Sequence, residues 1–242
     1  MLTVIVLYLM LASVIGQSFK FYLNHANLLG FVPLFDVNIE GNIPTYYSSM
    51  TLLFCSILLG VIAYAKKING GEYIFHWRML SFIFLYLSLD EAAGLHDLAG
   101  RLLGSALDTR GVLYYAWVIP GTVLVVITGL AYLRFLADLP AKTRHLFLVA
   151  GTLFVGGALG MELAEGWFDD LHGVGNITTA MLTTVEEFCE MIGIVVFIHA
   201  LLSYISLYVE DVQFCVETEP VANQPQTLLD YNTQPAIEVL QY

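Results

Sequence analysis

Four ionisable side chains, Asp90, Glu91, His96 and Asp97, fall within "DEAAGLHD", directly after the apolar run "MLSFIFLYLSL". Further along, Glu162 and Glu165 lie in "MELAEGW", and Glu186, Glu187 and Glu190 in "TTVEEFCEMIG". Carboxylates are hard-oxygen ligands suited to Ca, Mg or Mn, and an added imidazole admits Fe or Zn. Crowded acids also share protons, because like charges cannot all ionise side by side. The candidate site is therefore Asp90, Glu91, His96, Glu162, Glu165, Glu187 and Glu190, with a divalent metal ion or protons as the bound species. The plainer alternative is that acids near helix ends face interfacial water or favour a helix N-terminus. Asp169 and Asp170 read as loop acids, and His25, His76, His145 and His199 as structural histidines.

The elements that must position these residues are apolar. The 242-residue chain is 58% hydrophobic and 12% charged, whereas an ordinary soluble domain carries roughly 25% charged residues. A helix crosses the bilayer core in about 20 mostly apolar residues. Six stretches approach that length: Leu2–Phe19, Tyr46–Ala65, Ile74–Leu95, Leu113–Leu133, Leu146–Phe168 and Met181–Tyr204. The fold class is thus all-α, a polytopic membrane bundle of about six transmembrane helices in contact with lipid. "MLTVIVLYLM" lacks the positive start of a signal peptide, so the first run reads as an anchored helix.

Lys66, Lys67, Arg78, Arg134, Lys142 and Arg144 flank the loops on one side, against Lys20, Arg101 and Arg110 on the other. The positive-inside rule then places both termini in the cytoplasm and the acids in the outer part of the bilayer. At about 1.5 Å per residue, Asp90 and Glu91 stand roughly 24 Å along their helix. Glu162 and Glu165 reach a similar depth on the fifth helix, and Glu186, Glu187 and Glu190 on the sixth. Helical phase puts Glu162, Glu165, Asp169 and His172 in one stripe if that helix continues past Phe168. Glu91 and His96 lie about 140° apart on an ideal helix, so both face inward only if Gly94 distorts it.

Residues 1–207 form the bundle, with the outer loop 20–45 as a cap containing Asp36 and Glu40. Residues 208–242 are polar and acidic and read as a disordered cytoplasmic tail. Cys55, Cys189 and Cys215 make no CxxC pair. A net charge of −12 argues against a nucleic-acid partner. Walker, GxGxxG, GxSxG and HExxH signatures are absent.

The stretches "LFDVNIEGNIPTYYSS" and "SLDEAAGLHD" resemble an uncharacterised family of bacterial multispanning proteins, over most of residues 30–205. That resemblance implies a bacterial inner-membrane location and no activity. Alkaline-ceramidase-type hydrolases use a paired HxxxH that this chain lacks, and of the Glu-x-x-His motifs of di-iron bundles only Asp169-x-x-His172 comes near. The expected function is an outward-facing cation or proton site, in a transport path. Its alternatives are a membrane metalloenzyme acting on a hydrophobic small-molecule substrate, and an accessory subunit. The inner halves of the acidic helices carry almost no acids, which weakens a continuous path.

Overall fold

A computed structural model describes residues 1–209 of the chain; the expected tail lies outside the described residues apart from its first two positions. Every regular element described is helical. In chain order they are α1 (Leu2–Tyr22), α2 (Phe31–Phe35), α3 (Ile43–Ile68), α4 (Ile74–Ala93), α5 (Leu95–Leu107), α6 (Val118–Asp138), α7 (Ala141–Val155), α8 (Glu162–His172) and α9 (Ile177–Tyr208). A π-helical turn, Gly156–Met161, joins α7 to α8 into one continuous rod.

Among the described residues, five rods are long and apolar enough to cross a membrane: α1, α3, α6, the α7–α8 rod and α9. The third expected stretch is helical as α4, 20 residues long, but with Arg78, Asp90 and Glu91 in it α4 is not among these five. Two expected boundaries move for identifiable reasons. Helix α4 stops at Ala93 rather than Leu95 because Gly94 adopts φ 58°, a left-handed conformation that ends a helix at little cost to glycine. Helix α6 starts at Val118 rather than Leu113, since Gly111–Leu113 forms a separate 3₁₀ turn.

Local chemistry fixes the starts of the long helices. The Asn42 side chain accepts from Thr45 N–H with Pro44 in the first turn of α3, and Asn176 accepts from Thr178 and Thr179 N–H at the start of α9. Between α3 and α4, serines bond reciprocally. The Ser49 hydroxyl donates to the Ser88 carbonyl at 2.9 Å and Ser88 returns a bond to Ser49 at 2.8 Å. Ser56 and Ser81 repeat the arrangement two turns away, at 2.7 and 2.8 Å. Small residues with a hydrogen-bonding hydroxyl let helix backbones approach closely where hydrophobicity alone cannot drive association.

The apolar core joins Leu59 and Ile62 of α3, Trp77 of α4, Phe135 of α6, Phe147 of α7 and Leu201 of α9. The α7–α8 rod and α9 meet at two glycines. A Cβ on Gly193 would lie 2.9 Å from the Phe154 amide nitrogen, and one on Gly157 would lie 2.9 Å from the Glu186 carbonyl oxygen. Of the glycines expected to permit close packing, Gly157 does so, whereas Gly156 and Gly160 face open space. Gly157 thereby sets how near the acids of α8 come to those of α9.

Candidate carboxylate site

Helices α4, α8 and α9 bring their acids to one end of the bundle. Glu190 has Glu187, Glu91, Glu162 and Asp90 as electrostatic neighbours, and Glu187 has Glu91, His96, Glu165 and Glu40. All seven residues singled out from the sequence, Asp90, Glu91, His96, Glu162, Glu165, Glu187 and Glu190, therefore belong to one layer.

The break at Gly94 turns His96 inward. The His96 backbone N–H donates to Asp90 Oδ1 at 2.8 Å, and its ring Nδ1 lies 3.0 Å from Asp90 Oδ2. Asp90 thus caps α5 from the preceding helix, and the imidazole packs on Trp117 with ring centres 5.1 Å apart. Burial alone would lower the His96 pKa, but the hydrogen bond and charge of Asp90, aided by Asp97 and Glu162, raise it to about 9. His96 is accordingly an imidazolium at neutral pH, and its charge is shared with Asp90. Asp97, exposed on α5, lies between the two cations, its Oδ1 3.8 Å from His96 Nε2 and its Oδ2 3.5 Å from Arg101 Nη1.

Trp117 links this pair to the next acid, donating from Nε1 to Glu162 Oε1 at 3.0 Å. One turn on, Glu165 is 5% exposed and accepts from the Thr183 hydroxyl at 2.9 Å. Asp169, at 2% exposure, accepts from the Tyr115 hydroxyl at 2.7 Å and from the Thr179 hydroxyl. Burial and the bond to Asp169 push the Tyr115 phenol well above its ordinary value, so it stays a donor. The expected stripe runs through Glu162, Glu165 and Asp169 but stops short of His172, which is exposed and stacks on Phe168 with ring centres 4.3 Å apart. Asp169 is a buried helix residue, not a loop acid, because α8 continues to His172.

Glu186 is not among the seven, yet it is central. It is 8% exposed and has Glu162, Glu190 and Glu165 as electrostatic neighbours. Its relation to Glu190, four residues on and on the same face, was the available signal; the adjacent Glu187 obscured it. Tyr115 and Trp117, between α5 and α6, carry no pattern that would place them here from sequence.

Two oxygens in this layer, Glu165 Oε1 and Glu186 Oε2, are buried without a hydrogen-bond partner. Among the described residues, no group of three or more His, Cys, Asp or Glu side chains is arranged so that it could hold a metal ion. Within the loop 20–45, Glu40 lies over the α4–α5 junction, its carboxylate against Gly94. Asp36 instead engages α1, accepting from the Gln17 amide and lying 3.3 Å from Lys20 Nζ.

A family described as a domain of unknown function, DUF8692, matches residues 1–205. No curated protein and no solved structure matches the chain.

Proposed function

We propose, for a chain that belongs to the DUF8692 family and so takes no activity from its name, that it is a proton-binding integral membrane protein. In this reading six helices span the bacterial inner membrane, α4 being the sixth, with both termini cytoplasmic. The carboxylate layer faces outward, and Glu162, Glu165 and Glu186 share protons taken up from that side. The observation that carries the reading is the pair of unpartnered buried oxygens, Glu165 Oε1 and Glu186 Oε2. A proton held between two carboxyl groups gives both a partner.

Moving an ionised carboxylate out of water costs several kcal/mol even after relaxation, and two such charges about 4 Å apart repel by about 4 kcal/mol at an effective dielectric constant of 20. His96 answers Asp90 at 3.0 Å and Asp97 at 3.8 Å, and Arg101 sits beside Asp97 on α5. The remaining positive charge must come from solution. A proton needs no rearrangement of the side chains, whereas a divalent cation would require several acids to turn toward one point. The layer ends at Glu190: α9 carries no acid from Met191 to Tyr208. This supports a site loaded and unloaded from one face rather than a continuous path.

Glutamine has the shape of a protonated glutamic acid and keeps a donor. The Glu186→Gln protein should therefore fold in detergent with an unchanged thermal midpoint at neutral pH, and should release fewer protons than the parent when titrated to alkaline pH. Chelators should leave the parent's midpoint unchanged. Stoichiometric metal in the purified parent, diminished in Glu186→Gln, would overturn the proton reading in favour of a cation site.

A further inference from the structure

At the other end of the bundle, about 20 Å along α4 from Asp90 at its helical rise, α3, α4, α6 and α9 converge on a cavity of about 130 Å³. Its walls are aromatic: Tyr73, Trp77, Phe135 and Tyr204 line it. Trp77 meets Phe135 edge-on with ring centres 4.9 Å apart and Tyr204 at 5.0 Å, while Tyr73 meets Phe135 at 5.6 Å. Its charged members are Glu72, Asp138 and Lys66. The Tyr73 hydroxyl donates to Asp138, which fixes that carboxylate at the cavity, and Lys66 Nζ sits 5.7 Å from the centre of the Tyr204 ring.

Aromatic faces carry negative potential and attract cations, most strongly where water is partly excluded. Two carboxylates add to that attraction, and the position of the Lys66 ammonium over Tyr204 is an internal instance of it. The cavity volume is about four times the share of one water in the liquid, enough for an ammonium bearing small alkyl groups and too little for a large substrate. Its place is also specific. It opens among the loops that join membrane-crossing helices, beside Tyr and Trp residues of the kind that sit at headgroup level. Residues 210–242 contain no Lys or Arg that could supply such a cation from the chain itself.

We propose that this cavity binds a small organic ammonium group, either free or as the headgroup of a zwitterionic phospholipid. The ammonium lies between Tyr204, Tyr73 and the carboxylates of Asp138 and Glu72, and Lys66 at the rim faces the phosphate when the ligand is a lipid. This site is independent of the carboxylate layer and of the proton reading.

The test uses the full chain in detergent. Choline chloride should raise its thermal midpoint beyond the effect of sodium chloride at equal ionic strength, whereas dimethylbutanol, the neutral isostere of choline, should not. Asp138→Asn combined with Glu72→Gln changes two exposed side chains and should fold normally. It should weaken choline binding about tenfold, equivalent to about 1.4 kcal/mol. Lys66→Met separates the two sources. If the ligand is a free amine, removing the competing ammonium leaves choline binding equal or tighter and phosphatidylcholine in the micelle gives no extra stabilisation. If it is a headgroup, phosphatidylcholine stabilises the parent more than phosphatidylglycerol does, and Lys66→Met removes that difference. The proposal is overturned if choline acts no differently from sodium chloride or from its neutral isostere, or if it acts equally on the Asp138→Asn, Glu72→Gln protein; Lys66 would then be the cavity's permanent occupant.

Discussion

Replacing Gly157 with alanine should loosen the contact that brings α8 to α9. The new Cβ would stand 2.9 Å from the Glu186 carbonyl oxygen, 3.0 Å from Glu190 Cγ and 3.2 Å from Cys189 Cβ. The first of these is backbone, so relief requires α9 to shift by a few tenths of an ångström. Overpacking of this kind costs typically 1–3 kcal/mol, while alanine in place of glycine returns about 1 kcal/mol of helix propensity. The net loss is up to about 2 kcal/mol. Gly156→Ala and Gly160→Ala are matched controls, since nothing lies within 4 Å of the Cβ at either position; both should be neutral or stabilising by up to about 1 kcal/mol. For a chain of this size 1 kcal/mol moves the thermal midpoint by about 2–4 °C. Thermal unfolding of the three variants in one detergent should therefore place Gly157→Ala below the parent, by up to roughly 8 °C, with the controls at or above it. If all three melt together, Gly157 does not set the spacing of the acid-bearing helices.

The remaining predictions concern the bonds that fix the site. The folded-state pKa of His96, about 9, exceeds its ordinary 6.5, so its pairing with Asp90 contributes fully below about pH 6.5 and is lost as pH rises through 9. The gap corresponds to about 3 kcal/mol, reduced to about 2 by the ring's partial exposure; Asp90→Asn should remove most of this dependence from thermal midpoints measured across that range, and identical curves would refute the pairing. Ser88→Ala deletes one bond of its reciprocal pair with Ser49 and should cost about 0.5–1 kcal/mol by thermal unfolding. Asn176→Ala, which uncaps α9, should cost about 1 kcal/mol in the same assay.

Apolar length and helical phase made much of the architecture readable: the long rods over α1, α3, α6, α7–α8 and α9 lie where runs of apolar residues lie. Phase also placed Glu162 and Glu165 on one face with Asp169. Gly94 was readable as a distortion because Glu91 and His96 could not otherwise face the same way, and its positive φ supplies that distortion. What escaped the sequence is long-range or local in a way periodicity does not encode. The bonds from Tyr115 and Trp117 to Asp169 and Glu162 cross 54 and 45 positions. The π turn at Gly156–Met161 changes the helical phase of every residue after it. Glu186 could not be separated from Glu187 by composition, because only packing decides that Glu186 has Glu162 and Glu165 of α8 as neighbours while Glu187 has Glu91 of α4.

Infrared difference spectroscopy of the full chain tests the proton reading most directly, because the carbonyl stretch of a protonated carboxylic acid is distinct from the bands of a carboxylate. The parent at neutral pH should show carboxylic-acid bands that shift on deuteration, and Glu165→Gln and Glu186→Gln should each remove part of that intensity. Spectra containing carboxylate bands alone, unchanged in both variants, would contradict the proton reading.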